Sequence, residues 1–161
     1  MAQKRLPDDF RDFLNSLNKN NVQYLLLGGW AVGIYGAPRA TADMDVFIAV
    51  DDANLDKLLK ALYEFGAPTV PKEHFKDIGR VFRMGRSPIR IEIINQASGV
   101  DFQSCYSHRK IINIDGIDIS IISENDLMRN KAASGREKDL ADLRNLEGIL
   151  QQISKNKSKS E

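Results

Sequence analysis

Two stretches decide the fold of this chain, Leu27-Gly-Gly-Trp30 and Arg39-Ala-Thr-Ala-Asp-Met-Asp45. The first contains a glycine pair that ends a short apolar run and opens a short helix, as a tight turn between a strand and a helix does. The second ends in two aspartates that alternate with apolar residues, which is the pattern of a β-strand. Glycines let the backbone approach a phosphate closely, and paired carboxylates can bind a divalent cation.

The acidic strand predicts a metal site. Residues i and i+2 of a strand share one face, about 6.5–7 Å apart along the backbone, so Asp43 and Asp45 point the same way. At about 4 Å, two like charges repel by up to about 4 kcal/mol at an effective dielectric near 20. Glu92 is a third carboxylate, set in the apolar strand 89–94, where burial is costly without a partner. These three residues would suit Mg²⁺ or Mn²⁺. The alternative is that the aspartates lie on a strand face exposed to solvent and that Glu92 forms an ion pair with Arg90.

Composition and charge limit the classes of protein to consider. The chain has 161 residues, 42% of them hydrophobic, and a formal net charge of +1. That balance argues against a broad nucleic-acid-binding surface and against an acidic tail. Cys105 is the single cysteine, which excludes an internal disulfide framework. The sequence shows no signal peptide and no run of about 20 apolar residues, so we expect a cytoplasmic protein that does not associate with membranes.

Helical and strand patterns alternate along the chain, which indicates an α/β (α+β) fold. Helices are predicted over 7–18, 30–35, 52–65 and 137–153, and a further helix begins at the capping box 123–126 and continues over 127–133. Strands are predicted over 23–27, 43–48, 81–84 and 89–94, and a hairpin over 110–122 that turns at Asp115-Gly116. We expect a core over 1–122, a C-terminal helical extension over 123–153 and a disordered tail over 154–161.

The quoted stretches, from Gly28-Gly29 to Asp43-x-Asp45, resemble the signature of the nucleotidyltransferase superfamily, which has the DNA polymerase β-like fold. The chain is most similar to its minimal bacterial types, the abortive-infection toxins and the lincosamide nucleotidyltransferases. Many members have Gly-Ser at the glycine pair, and their third carboxylate is commonly Asp where this chain has Glu92. The resemblance implies a mixed central sheet flanked by helices, an NTP substrate, Mg²⁺, and transfer of a nucleoside monophosphate to a hydroxyl acceptor.

The resemblance also implies roles for individual residues. Gly28 and Gly29 would hold the triphosphate, and Arg39 and Thr41 would brace the nucleotide-binding loop. The catalytic carboxylates would be Asp43 and Asp45 as metal ligands and Glu92 as third ligand or base. The acceptor could be tRNA, a protein or a small molecule, and the protein could be a toxin with an antitoxin-like partner. A monomer and a homodimer are both compatible with the sequence.

A second constellation lies in the C-terminal helices. Lys131, followed by Arg136 and Asp139, is similar to the Lys … Arg-x-x-Asp elements of the toxin-type family, where the lysine contacts nucleotide phosphates. The alternative is an ordinary exposed helix, on which Lys138 and Asp142 form an i,i+4 pair worth about 0.3–0.5 kcal/mol. The basic run over 72–90 could face the triphosphate or an RNA acceptor, or be a solvated edge.

The main alternative to an enzyme is a catalytically silent module of the same fold that binds a nucleotide or a partner protein. The glutamate at position 92 and the small size of the chain both allow it. NTP binding without transfer to any acceptor would favour that alternative.

Overall fold

The structure, a computed structural model, describes residues 6–36, 43–86 and 88–160. Its helices are α1 Asp8–Lys19, α2 Gly28–Ile34, α3 Asp52–Phe65, α4 Lys72–Lys76, α5 Phe102–Ser107, α6 Glu124–Ser134 and α7 Glu137–Ser160. Its strands are β1 Tyr24–Leu27, β2 Asp43–Ile48, β3 Phe82–Arg86, β4 Ile89–Ile94, β5 Lys110–Ile114 and β6 Ile117–Ile121. Helices and strands therefore alternate as the sequence predicts.

Within the described residues, six strands form one mixed sheet in the order β3-β4-β2-β1-β6-β5. Strand β1 is antiparallel to β2 and parallel to β6, and β2 is parallel to β4. The hairpins β3–β4 and β5–β6 form the two edges. The expected mixed central sheet with flanking helices is confirmed. Because β1 and β2 are central, each pairs on both sides, and this fixes the register of the acidic strand.

Side chains alternate between the two faces of β2, and this places its two carboxylates on the face opposite Met44, Val46 and Ile48. Met44, Val46 and Ile48 are buried on one face of the strand, whereas Asp43 and Asp45 on the other face are partly exposed. Strand β1, by contrast, is buried along its whole length, as a continuous apolar run predicts. The acidic pair therefore lies at the boundary between the core and a cleft.

Two local signals in the C-terminal half are confirmed, the helix cap at Ser123 and the hairpin turn at Asp115-Gly116. Ser123 caps α6, its Oγ accepting a hydrogen bond from the backbone N–H of Asp126 at 3.2 Å. The buried Asp126 carboxylate contacts His108 at 3.2 Å and Arg129 at 3.0 Å. The hairpin turns at Asp115-Gly116, where both φ angles are positive, as the sequence predicts.

The end of the last helix and two short helices differ from the sequence expectation. Helix α7 continues to Ser160, beyond the helix end predicted at 153. The segment after 153 contains neither glycine nor proline, so nothing in it interrupts the helix. Helices α4 and α5 were not predicted, since each is too short to show a hydrophobic period. None of the helices in the described ranges is both long and apolar enough to cross a membrane.

Candidate active site

Three adjacent strands bring the glycine pair and two of the predicted carboxylates together. Leu27, the last residue of β1, lies opposite Asp45 in the antiparallel β1–β2 pair. On the other side of β2, Asp45 lies opposite Glu92 in the parallel β2–β4 pair. Paired strands are about 4.8 Å apart, and the carboxyl groups of Asp45 and Glu92 are close enough to share a hydrogen bond.

This proximity makes ionisation of both carboxyl groups unfavourable. Burial, the charge of Glu92, the hydrogen bond to it and the charge of Asp43 together raise the pKa of Asp45 to about 7. The charge of Lys131 lowers the pKa of Asp45 and offsets only part of this increase. Near neutral pH, Asp45 therefore holds a proton in a large share of molecules, and a cation binding there would displace it.

Gly28 is required by the position of the Asp45 carboxylate. Its φ is +71°, in the left-handed region, and a Cβ atom there would lie 2.2 Å from Asp45 Oδ2. Real Cβ atoms are essentially never that close to another heavy atom, so no other residue fits unless Asp45 moves. The first glycine of the pair thus creates the space in which the carboxylate sits.

Two arginines lie close to the other two carboxylates, Asp43 and Glu92. Arg90 Nη1 lies 3.9 Å from Asp43 Oδ2, and Arg83 Nε donates a hydrogen bond of 3.1 Å to Glu92 Oε1. The partner of Glu92 is therefore Arg83, and the alternative pairing with Arg90 was wrong. Arg83 takes this place because it lies directly opposite Glu92 in the antiparallel β3–β4 pair.

The carboxylates do not form a ready-made metal site. Over residues 6–36, 43–86 and 88–160, no three histidine, cysteine, aspartate or glutamate side chains are grouped so that they could hold a metal ion. Asp45 and Glu92 nevertheless supply the oxygen donors that Mg²⁺ prefers, and their mutual repulsion is what a cation relieves. Metal binding by Asp43, Asp45 and Glu92 stays a prediction.

A buried ionic cluster joins α6 to α7. Lys131 is 5% exposed, and its Nζ lies 2.9 Å from Asp139 Oδ1 and 3.0 Å from Asp142 Oδ2. Ser134 Oγ and Arg136 Nε each donate a hydrogen bond of 2.6 Å to Asp139 Oδ2. Burial opposes ionisation of Asp139, but the hydrogen bonds from Ser134, Lys131 and Arg136 hold its pKa well below the usual range.

Asp142 is the functional candidate that sequence reasoning missed. The alternative interpretation of the sequence made it an exposed partner of Lys138, yet it is 5% exposed and binds Lys131. The available signal was its spacing: Asp139, Asp142 and the buried Leu146 follow one another at three and four residues, as the inner face of a helix does. Two buried aspartates on one face require a cation, which Lys131 provides.

A cavity of about 250 Å³ lies between the acidic pair and the ionic cluster. The predicted residues that line it are Gly28, Gly29, Asp45, Glu92, Lys131, Arg136 and Asp139. The further lining residues are Leu27, Ile94, Gln96, Ala97, Ser98, Asn130, Ser134 and Lys138. Asp43 and Arg90 are not among the lining residues, and Arg39 and Thr41 fall outside the described part of the chain.

Four of the six lysines and arginines in the basic run over 72–90 have carboxylate partners in the part of the chain that the structure describes. Lys72 and Lys76 form ion pairs with aspartates of α3. Arg83 and Arg90 are close to the carboxylates described above. Cys105 lies apart from the cavity, and burial raises the pKa of its thiol to about 11, so it is not a ready nucleophile.

Comparison with known proteins identifies the family. Residues 5–160 match the family model described as a nucleotidyltransferase of unknown function, DUF6036. The chain belongs to this family. The resemblance carried by the glycine pair and the two aspartates is thereby confirmed. No curated protein matches the chain in sequence.

Solved structures share the fold of this nucleotidyltransferase family member. A candidate nucleotidyltransferase from Thermotoga maritima has 16% identity and a TM-score of 0.56, with 91% of each chain covered. The lincosamide antibiotic adenylyltransferase LnuA, bound to lincomycin, has 17% identity and a TM-score of 0.55, with 89% of this chain and 98% of LnuA covered. An antigenic nucleotidyltransferase-like protein from Paracoccidioides brasiliensis has 20% identity and a TM-score of 0.55, with 89% of this chain and 75% of that protein covered.

Replacing Gly28 tests the close contact with Asp45. Gly116→Ala is the matched control, since its φ is +83° but an added Cβ would meet nothing within 4 Å. We expect Gly116→Ala to cost about 1–2 kcal/mol for the left-handed backbone alone, and Gly28→Ala to cost at least about 2 kcal/mol more. Urea denaturation of both variants measures the difference. Equal losses of stability would show that the contact is unimportant.

Asp45→Asn tests the repulsion within the acidic pair. Because the folded pKa of about 7 lies above the ordinary value of 3.8, the folded state binds the proton more tightly. The contribution of this proton to the free energy of unfolding is therefore complete below about pH 4 and is lost as the pH rises through 7. In the presence of EDTA, we expect Asp45→Asn to gain stability relative to the wild type between pH 4 and 8, on the order of 2–4 kcal/mol. An unchanged difference between the two proteins across that range would contradict this.

Proposed function

We propose that this protein transfers a nucleoside monophosphate from an NTP to a hydroxyl group, using a divalent cation held by Asp43, Asp45 and Glu92. The hydroxyl oxygen forms a bond to the α-phosphorus, the bond between the α-phosphorus and the bridging oxygen breaks, and pyrophosphate leaves. The proposal depends on one observation: Asp45 and Glu92 lie opposite each other on paired strands and line a cavity that Lys131 also lines. Two repelling carboxyl groups favour a cation, and a lysine on the same cavity favours a phosphate. A metal-bound nucleoside triphosphate satisfies both at once.

The protein's own groups would bind and orient the reactants. Mg²⁺ or Mn²⁺, when bound, would neutralise charge on the phosphates and lower the pKa of the attacking hydroxyl. Asp45, the more buried carboxylate, would fix the position of that cation. Glu92, whose side chain is 20% exposed, would accept the proton of the hydroxyl. Positioning and charge neutralisation are the main work of a protein in such transfers.

The ionic cluster supports a phosphate-binding role for Lys131. An ammonium group has three donors, and Asp139 and Asp142 accept two of them. The third would bind a phosphate oxygen in the cavity. Arg136, whose side chain is 63% exposed at the rim, would supply a second cation. Gly28 and Gly29 line the cavity without side chains, so phosphates could approach their backbone closely. Arg39 and Thr41, which lie outside the described residues, keep their proposed role in bracing the nucleotide-binding loop.

A small-molecule hydroxyl is the first acceptor to test. LnuA, which shares the fold, adenylylates lincosamide antibiotics and was solved with lincomycin bound. RNA and protein hydroxyls are the other acceptor classes for the same chemistry. If the protein is a toxin that modifies one of these acceptors, its expression without the antitoxin-like partner should arrest growth. A variant without the acidic pair should then leave growth unchanged.

A catalytically silent module is the second candidate. The observation in its favour is the ion pair between Arg83 and Glu92, which occupies the carboxylate needed as ligand or base. A module of this kind would bind an NTP through Lys131 and Arg136 without turning it over. Arg83→Ala separates the two candidates, since freeing Glu92 should raise metal affinity in an enzyme and change nothing in a silent module.

Removal of the acidic pair should abolish transfer. We expect Asp45→Asn and Glu92→Gln to reduce transfer of a labelled nucleoside monophosphate at least about 100-fold, because each removes a charge that acts on the reacting phosphate. Pools of antibiotics, RNA and proteins, each with Mg²⁺ and the four NTPs, supply the acceptors. Asp9→Asn, on the exposed side of α1, is the control and should keep full activity.

Two outcomes of that assay would contradict an enzyme. Transfer at the wild-type rate by Asp45→Asn would remove the acidic pair from the reaction. Binding of NTP in calorimetry, with no transfer to any of the pools, would favour the silent module.

A further inference from the structure

Two arginines share the face of the sheet that carries the acidic residues. Arg83 lies directly opposite Glu92 in the β3–β4 pair, and Arg90 lies directly opposite Asp43 in the β2–β4 pair. Residues that lie opposite each other on paired strands project from the same face of a sheet. Acidic and basic side chains therefore alternate across β2, β4 and β3 on this face.

The two arginines are close enough to bind one anion together. Arg90 lies opposite Gly85, two residues along β3 from Arg83, so the two arginines are diagonal neighbours about 7–8 Å apart in the backbone. Gly85 contributes no side chain beside Arg90. The side chain of Arg83 is 59% exposed and that of Arg90 is 36% exposed, so a ligand can reach both. Guanidinium groups match the geometry of a phosphate group, to which each can donate two hydrogen bonds.

In the structure, carboxylates that we propose as cation ligands hold both guanidinium groups. Arg83 Nε donates a hydrogen bond of 3.1 Å to Glu92 Oε1. Arg90 Nη1 lies 3.9 Å from Asp43 Oδ2. A divalent cation on these carboxylates would compete for the same oxygen atoms and would neutralise much of their charge. Both guanidinium groups would then be available to another anion.

The arginines and Lys131 act on different members of the acidic pair. Lys131 lines the cavity and lowers the pKa of Asp45. Arg83 instead contacts Glu92, and neither arginine lines the cavity. In phosphoryl transfer, the attacking and leaving oxygen atoms lie roughly in line, on opposite sides of the phosphorus. A triphosphate whose leaving group is bound at Lys131 therefore leaves the side of the arginines for the attacking hydroxyl.

We propose that Arg83 and Arg90 form an anion site for the acceptor, and that the acceptor carries a phosphate group close to the hydroxyl that attacks. This inference rests on the proposed function, since it names the acceptor class of the same site. The acceptor oxygen bonds to the α-phosphorus, pyrophosphate leaves on the side of Lys131, and Glu92 takes the hydroxyl proton. A small phosphate ester and the end of an RNA strand both present this chemistry.

Matched acceptor pairs test the inference on the intact protein. The protein is first saturated with Mg²⁺ and the α,β-methylene analogue of the NTP that binds most tightly, which cannot release pyrophosphate. Calorimetry then compares glycerol phosphate with glycerol, and the dinucleotide ApA with its uncharged methylphosphonate analogue. We expect the anionic member of at least one pair to bind at least roughly tenfold more tightly, because its hydrogen bonds join two charged groups. The pair that shows the difference identifies the source of the phosphate.

Variants on β3 and β4 provide the controls. In the double variant Arg83→Ala and Arg90→Ala, the ratio of affinities within that pair should fall to about one. Arg86→Ala removes an exposed arginine of the same strand whose side chain alternates to the other face, and it should keep the wild-type ratio. In EDTA the wild-type ratio should also fall to about one, because Asp43 and Glu92 then hold the two arginines.

The outcomes separate this inference from the proposed function. Equal wild-type affinities within both pairs, a ratio that survives in the double variant, or a ratio that EDTA leaves unchanged would overturn the inference and leave the nucleotide site intact. The wild-type comparisons need no variant, so they hold even if the double variant fails to fold. Failure of every NTP analogue to bind would instead overturn the proposed function together with this inference.

Discussion

The register of β2 between β1 and β4 positions the acidic pair of the candidate site. It places Asp45 opposite Leu27 on one side and Glu92 on the other. A slip of one residue would turn the Asp45 side chain to the face of Met44 and Val46, inside the core. Since β2 is a central strand that pairs on both sides, it cannot relax away from this arrangement. The repulsion between Asp45 and Glu92 is therefore built into the sheet.

The C-terminal helices complete the site and are not an accessory to it. Lys131 lowers the pKa of Asp45, so the charge of α6 acts on the acidic pair across the cavity. Asp139 and Asp142 of α7 hold that lysine in place. The predicted boundary at residue 122 lies between the carboxylates and the lysine that offsets part of their repulsion.

Much of this arrangement could be predicted from the sequence, and the exceptions have physical causes. The β2 pattern and the capping serine of α6 are local signals, and both are confirmed. The contact between Gly28 and Asp45 was not predictable, because it depends on how closely two strands approach. The partner of Glu92 depended likewise on the pairing of β3 with β4, which placed Arg83 there and not Arg90. Asp142 was missed because its burial depends on Lys131, a residue on another helix.

The most direct test of this account is an NMR titration of the Asp45 side-chain carboxyl carbon, with and without Mg²⁺. In metal-free protein, we expect the carboxyl group to titrate near pH 7, in line with its raised pKa. Saturating Mg²⁺ should lower that pKa by more than about one unit, because a cation favours the charged form. Titration near pH 4 without metal, or a titration that Mg²⁺ leaves unchanged, would contradict the account.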